Sequence, residues 1–355
     1  RADADGLGRE DLWLTGDPNR AIPARPTRLI TEQSRLTEVL NRAADAEGLS
    51  EADSARLFQA RGSDVQRVCD AADQLRASLG RDEITYVVNR NINYTNVCGY
   101  HCKFCAFSKG RTHEDLRGKP YDLAIEEIVR RATEAYSRGA TEVCLQGGIH
   151  PDYTGETYLE ICRAIRAAAP GLHIHAFSPL EVSQGAHTLG LDLATYLTQL
   201  RDAGLSSLPG TAAEILDDEV RDILCADKVN TEEWLNVMRT AHQVGLRTTS
   251  TIMFGHVDRT EHWARHIARI AAVQRETGGF TEFVPLPFVA KEAPIFRRGQ
   301  ARQGPTFREA LLVHAVARLA FGQLIDNIQT SWVKMGPQGT LRCLQAGAND
   351  LGGTL

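Results

Sequence analysis

From about residue 83 onward, short runs rich in β-branched and aromatic residues alternate with longer stretches whose apolar positions recur at helical spacing. The runs that read as strands are 84–89 (ITYVVN), 142–147 (EVCLQG), 173–179 (HIHAFSP), 207–210 (SLPG), 247–255 (RTTSTIMFG), 279–287 (GFTEFVPLP) and 327–333 (NIQTSWV). Between them, 121–139, 158–170, 193–204, 232–245, 261–278 and 307–323 carry the helical period, and the charged stretch from Asp217 and Asp218 starts another helix. Gly139, Gly204, Gly245 and Gly278 stand where helix C-caps belong. Repeated strand–helix units predict an α/β fold with a parallel sheet, and their spacing of about 35 residues favours a (β/α) barrel. Residues 1–82 differ. Segments 35–49 and 64–79 are helical in pattern, Ser50 opens a short helix, and Pro18, Pro23 and Pro26 give the first stretch a loop character. The expected organisation is an N-terminal helical extension or linker, 1–82, followed by the barrel, 83–355.

Composition narrows the function. The chain has 355 residues, is 43% hydrophobic and has a net charge of -5. A sizeable core is affordable, and no basic run tracks a phosphate backbone, so no nucleic-acid partner is expected. No apolar run reaches the roughly 18 residues that a membrane helix needs. The start lacks Met and a secretory pattern, and the end follows a Gly-rich turn, so both ends read as cuts in a longer polypeptide of cytoplasmic location.

Eight cysteines are too few for a disulfide scaffold in a chain of this length, yet three crowd together as Cys98, Cys102 and Cys105. The spacing C-x3-C-x2-C directly follows the first predicted strand. Three thiolates on a short loop can each take one iron of a 4Fe-4S cube, leaving the fourth iron open to an exogenous ligand. A structural zinc would want a fourth ligand, and no second C-x2-C exists; His101, inside the loop, is badly placed to supply one. Cys69, Cys144, Cys162, Cys225 and Cys343 read as structural.

The loop resembles that of radical S-adenosylmethionine (SAM) enzymes. The stretches NINYTNVC, KFCAFS, EVCLQGGIHP, HIHAFSPLE, LPGTAAEILDDEVR, TSTIMFGHVD, TGGFTEFVPLPFV, IQTSWVKMG and GANDLGGT together resemble one branch. That branch is the subunit 2 family of 7,8-didemethyl-8-hydroxy-5-deazariboflavin (FO) synthase, the 5-amino-6-(D-ribitylamino)uracil–L-tyrosine 4-hydroxyphenyl transferases. The resemblance implies a TIM-like radical SAM barrel with a 4Fe-4S cluster and SAM as cofactors. It implies cleavage of the Cα–Cβ bond of L-tyrosine and transfer of the 4-hydroxybenzyl group to 5-amino-6-(D-ribitylamino)uracil, with 2-iminoacetate, methionine and 5′-deoxyadenosine as the other products. It further implies an electron donor, a partner FO synthase subunit 1 activity, separate or fused, and a barrel end that continues beyond residue 355. The rival readings are a sister radical SAM enzyme of the futalosine route to menaquinone and a non-catalytic metal-binding module.

The resemblance also suggests cofactor contacts. Phe104 would pack near the adenine of SAM and the Gly147–Gly148 pair would meet its amino group, with Gln146 reaching inward beside them. Ser178 and Glu214 would hold its ribose or methionine portion. The bland alternatives are a tight turn at the glycines, a helix cap at Ser178 and a solvent-facing acid at Glu214. His175, His256 and Glu282 are the catalytic or substrate candidates, for they sit on or at the ends of strands. His173 shares the face of His175 by alternation. His150, Arg247, Ser250, Thr251, Gln329, Ser331, Lys334, Asn349 and Asp350 form a second tier. Satisfied core histidines and an exposed Arg247 are the competing explanations.

Overall fold

The structure, a computed structural model, describes residues 2–9, 11–17, 19–23, 33–44, 48–106 and 119–354. Pro18, Pro26, residues 45–47 of the first helical segment, and Phe107 and Ser108 of the KFCAFS stretch lie outside the described residues. The elements run α1 (Gln33–Ala44), α2 (Glu51–Phe58), α3 (Ser63–Ser78), β1 (Thr85–Val87), β2 (Asn89–Asn93), α4 (Ile125–Ser137), β3 (Glu142–Gln146), α5 (Gly155–Ala168), β4 (His173–Ala176), α6 (Pro179–Leu189) and α7 (Leu193–Asp202). They continue with β5 (Ser207–Leu208), α8 (Asp218–Cys225), α9 (Thr231–Gln243), β6 (Arg247–Phe254), α10 (Thr260–Thr277), β7 (Phe280–Pro287), α11 (Pro294–Arg297), α12 (Phe307–Phe321), β8 (Asn327–Ile328), α13 (Trp332–Leu344) and β9 (Asp350–Gly353). Strands β2 to β8 form a seven-stranded sheet in chain order, and every pairing described is parallel. Strands joined through helices and paired in chain order are the α/β arrangement that the sequence predicts.

The chain divides into two compact units. One comprises Tyr86–Ala213, Arg221–Thr249 and Gly353–Leu355. Its strands have two unlike faces. Val143, Leu145, Ile174, Ala176, Ile92 and Leu208 are fully buried and belong to an apolar core with α4, α5, α7 and α9. The alternate residues are polar. Asn89, Glu142 and His173 pair in one row, Asn91, Cys144, His175, Ser207 and Arg247 in the next, and Asn93 with Gln146 in a third. Residues paired across parallel strands face the same side, so the sheet has one greasy face and one face of amides, imidazoles, hydroxyls and charges.

The other unit comprises Arg1–Thr85, Glu214–Val220 and Ser250–Gly352. Here α12 is buried along its whole length, which its apolar composition requires. Helix α3 packs on α12 and α2 on α10. Trp13 meets Phe307 edge-on at 5.5 Å, and Phe58 meets Trp263 at 5.3 Å. The N-terminal helices therefore share a core with α10 and α12.

Three local expectations change, and one helix, α6, lies outside the helical stretches that the sequence predicts. The apolar run 84–89 supplies β1, with Ile84, Tyr86 and Val88 exposed, while the strand of the main sheet is the asparagine-rich β2. The run 327–333 is a strand only at Asn327–Ile328 and then becomes α13, kinked at Gly336 before Pro337. The expected strand 207–210 is reduced to Ser207–Leu208. Helix α6 has little apolar periodicity and is set instead by its start, with Ser178 as N-cap, Pro179 in the first turn and Glu181 closing a capping box.

Candidate functional site

Strand β2 ends at Asn93, and the chain then turns into the cysteine loop. Cys98, Cys102 and Cys105 are all half-buried and outside any disulfide. The loop is anchored through its backbone. Gly99 N–H donates to Ile149 C=O at 2.9 Å, Lys103 N–H to Leu224 C=O at 2.8 Å and Cys105 N–H to Cys102 C=O at 3.1 Å. His101 N–H donates to Asp227 Oδ2 at 2.8 Å, and its ring is almost fully exposed. Ile149 N–H points at Cys98 Sγ at 3.3 Å, a donor suited to a thiolate. A single zinc would draw its sulfurs to within about 3.8 Å of one another. Among the described residues, the groups whose ligand atoms gather within 4.8 Å do not include this trio. Sulfurs set wider apart than one zinc would hold them fit a cube better than one ion.

Strand β3 ends at Gln146, and the glycine pair follows. A Cβ on Gly148 would lie 2.2 Å from Val97 O and 2.9 Å from Cys98 Cβ; one on Gly147 would lie 2.2 Å from the Tyr94 ring. These glycines are required because the turn after β3 is pressed against the cysteine loop and the strand before it. Gly148 N–H also donates to Thr95 C=O at 2.9 Å. Tyr94, fully buried, donates its hydroxyl to Glu181, which is itself buried. Glu181 accepts from Ser178 N–H at 2.7 Å and Ser178 Oγ–H at 2.6 Å. Burial raises the Glu181 carboxyl, opposed by these bonds and by one from the Gly147 backbone. Tyr94 and Glu181 went unread in the sequence; the Ser178-x-x-Glu181 capping-box spacing was the signal available for Glu181.

The same unit brings together Cys98, Cys102, Cys105, Phe104, Gln146, Gly147, Gly148, His175 and Ser178. Phe104 is half-buried, with Lys228 Nζ 5.5 Å from its ring centroid. Gln146 stands on the polar face opposite Asn93, its Nε2 3.7 Å from Cys144 Sγ. Ser178 is the cap of α6, and its hydroxyl is committed to Glu181. His173 Nε2 and His175 Nδ1 each lie 2.7 Å from Ser207 Oγ. Burial lowers His175 to about 3, with His173 adding to the effect, so its imidazole is neutral. His150 accepts from Asp152 N–H at 3.1 Å and stacks on Tyr153 at 4.9 Å. Arg247 is exposed, as its bland alternative holds.

Glu214, His256 and Glu282 belong to the other unit. Glu214 is buried at a left-handed φ of 47°, and its C=O accepts from Met253 N–H at 2.8 Å. Lys334 is lowered to about 8 by burial, opposed by the charge of Glu214. Glu282 is half-buried, paired with Asn327, and its C=O accepts from Ser250 Oγ–H at 2.9 Å. His256 is fully buried inside its own turn: Nε2 is 2.8 Å from Met253 C=O, and Nδ1 accepts from Val257 N–H at 2.8 Å beside Asp258. Both ring nitrogens are thus engaged within residues 253–258, a structural placement where the sequence suggested a substrate contact. Ser331 caps α13. Asn349 and Asp350 bind the last turn: Asn349 Oδ1 accepts from Arg318 Nη2 at 2.7 Å and from Ile328 N–H at 2.9 Å, and Asp350 accepts from Thr85. Arg318, fully buried, also donates to the carbonyls of Gly347, Ile325 and Asp326. Of the remaining cysteines, Cys69, Cys162, Cys225 and Cys343 are buried, and burial pushes Cys162 and Cys343 up to about 12. No helix among the described residues is long and apolar enough to cross a membrane.

Residues 92–270 match the radical SAM superfamily, and residues 277–355 match the CofH/MqnC C-terminal region. The FO synthase of Streptomyces coelicolor is 50% identical over 313 residues, which are 88% of this chain and 36% of that protein. The FO synthase of Mycobacterium leprae is 46% identical over 355 residues, 100% of this chain and 40% of that protein. The chain thus spans well under half the length of these relatives. The 5-amino-6-(D-ribitylamino)uracil–L-tyrosine 4-hydroxyphenyl transferase of Methanopyrus kandleri is 48% identical over 324 residues, 91% of this chain and 86% of that protein. In fold, the chain resembles methylornithine synthase PylB (TM-score 0.68, 20% identity, 89% of this chain and 85% of that one). It also resembles the FeFe-hydrogenase maturase HydG of Carboxydothermus hydrogenoformans (TM-score 0.67, 16% identity, 90% and 70%). The chain belongs to the radical SAM superfamily, in the family of which the Methanopyrus kandleri transferase is a member.

Proposed function

We propose that this chain joins the 4-hydroxybenzyl group of L-tyrosine to 5-amino-6-(D-ribitylamino)uracil, with release of 2-iminoacetate, as a step toward the deazaflavin FO. The observation that carries the reading is the 48% identity to the Methanopyrus kandleri transferase across 86% of its length. Cys98, Cys102 and Cys105 are the residues that would hold a 4Fe-4S cluster. With SAM, such a cluster would supply one-electron chemistry at a carbon–sulfur bond, and through it the means to take a hydrogen from tyrosine.

The chain's own residues supply position and shelter. The Gly147–Gly148 backbone presents a surface with no side chain beside the cysteine loop, and Phe104 offers a flat apolar face for an adenine. The Tyr94–Glu181–Ser178 network fixes that backbone, so Ser178 acts by positioning. Asn91, Asn93 and Gln146 line the polar face with donors and acceptors that suit a uracil and a ribityl chain. In the other unit, burial lowers Lys334 to about 8 against the charge of Glu214, and this pair, taken by itself, offers one group of each sign to an ionic ligand. Glu282 is a third candidate for the substrate. A one-electron donor and an FO synthase subunit 1 activity complete the scheme, and the cytoplasm is the compartment that suits it.

The test is anaerobic incubation of the reconstituted protein with SAM, dithionite, L-tyrosine and the diaminouracil. The expected result is a tyrosine-dependent adduct and 5′-deoxyadenosine by mass spectrometry. Deoxyadenosine release that ignores tyrosine, or turnover of a futalosine-type substrate in its place, would overturn the assignment.

A further inference from the structure

The polar face of the sheet carries a second constellation, at the end away from the cysteine loop. Glu142 is the first residue of β3 and His173 the first of β4. Four residue steps separate Glu142 from Gln146, about 13 Å along an extended strand. The ligand atoms of Glu142, His173 and His175 lie within 4.8 Å of one another. His173 Nε2 is 4.0 Å from Glu142 Oε2.

The backbone makes this grouping. Alternation along β4 sends the two imidazoles of His-x-His to one side, and the parallel register sets Glu142 opposite His173 and Cys144 opposite His175. Ser207 Oγ lies 2.7 Å from His173 Nε2 and from His175 Nδ1; because His173 Nε2 is also the nitrogen that faces Glu142, that bond must open for Nε2 to take an ion. Asn89 Nδ2 donates to Glu142 Oε1 at 3.3 Å, while its own Oδ1 is buried with no hydrogen-bond partner. A layer of hydrogen bonds that orients ligands is how metal sites are tuned.

We propose that Glu142, His173 and His175 form a second metal site, for a zinc-class divalent ion. Two imidazole nitrogens are borderline donors, and with one carboxylate they make a His2Glu set of the kind that holds zinc. They suit zinc and its neighbours, whereas calcium and magnesium require oxygen shells. Three protein ligands leave a fourth position for water. A tetrahedral ion with bonds of about 2.1 Å needs donors about 3.4 Å apart, so the set must draw in by roughly 1 Å. His173 can supply that movement, because its side chain is 46% exposed. The same exposure gives the ion an entry path. The competing account is a plain hydrogen-bonded network that closes the polar end of the sheet.

The experiment uses the iron–sulfur-reconstituted protein, cleared of loose metal with chelator, equilibrated with zinc chloride and assayed for zinc, iron and sulfide. Wild type is expected to hold about one zinc per chain beyond the cluster iron. His173→Ala and Glu142→Gln should lose that zinc with iron and sulfide unchanged. Because His173 is half-exposed, its replacement spares the core, and unchanged iron reports an intact fold. As a second readout, zinc should raise the thermal midpoint of wild type and leave that of His173→Ala unmoved. Zinc uptake equal in wild type and His173→Ala, or zinc gained only as iron is lost from the cysteine loop, would refute the site.

Discussion

Replacing Gly148 by alanine tests the geometry that couples the β3 turn to the cysteine loop. The added Cβ would stand 2.2 Å from Val97 O, 2.8 Å from Val97 C and 2.9 Å from Cys98 Cβ. Ordinary contact begins near 3.4 Å, so the Val97 carbonyl must retreat by about 1 Å, and Cys98, the next residue, must move with it. Such overpacking costs about 1–3 kcal/mol. A displacement of about 1 Å at a reacting site costs on the order of 100-fold in rate. The assay is iron and sulfide content after anaerobic reconstitution, followed by the rate of 5′-deoxyadenosine release. Gly148→Ala should hold less iron and turn over about 100-fold more slowly. Gly99→Ala is the control in the same loop, since its Cβ would meet nothing nearer than 3.7 Å. If Gly148→Ala keeps a full cluster and the wild-type rate, or if Gly99→Ala fails equally, the steric coupling is wrong.

Arg318→Met removes four hydrogen bonds, to the carbonyls of Gly347, Ile325 and Asp326 and to the Asn349 side chain; at about 1 kcal/mol net per bond, chemical denaturation should show a loss of about 4 kcal/mol. Tyr94→Phe keeps the ring that abuts Gly147 and removes the donor to Glu181, so stability should fall by about 1–3 kcal/mol while iron content holds. His314 is fully buried and lowered to about 4, below the value of about 6.5 in an unfolded chain. Between those values the unfolded chain binds a proton that the folded chain refuses, so this contribution is lost as pH falls from about 6.5 towards 4. In His314→Leu, denaturation at stepped pH should show a stability curve flatter than wild type by up to about 1.4 kcal/mol per pH unit, and parallel curves would contradict it.

The cysteine loop and the strand–helix repeat were legible because each rests on local spacing. Strand β2 was obscured by the partition of its side chains. Its Asn89, Asn91 and Asn93 belong to the polar face, so a search for β-rich apolar runs chose Ile84, Tyr86 and Val88, which are exposed. The run through Trp332 and Val333 misled in the same way, for both are exposed on the first turn of α13. His256 looked like a substrate group because it ends a strand; its role is decided by Met253 C=O and Val257 N–H, partners one to three residues away whose orientation no pattern reveals. The sharing of Ser207 by His173 and His175 depends on the register of β4 with β5, a long-range fact.

The distribution of thiols has a consequence for how the polypeptide matures. Cys69, Cys162, Cys225 and Cys343 are buried on helices, while the trio at 98, 102 and 105 and the lone Cys144 on β3 are only partly covered. Incoming ferrous ions and sulfide therefore meet a cluster of nucleophiles at one address, with Cys144 a single thiol elsewhere, and the four sequestered sulfurs neither divert them nor scramble into mixed disulfides. An alkylating reagent added before and after cofactor loading would read this segregation directly, as sulfurs that react early and are silenced by assembly set against sulfurs that react only on denaturation.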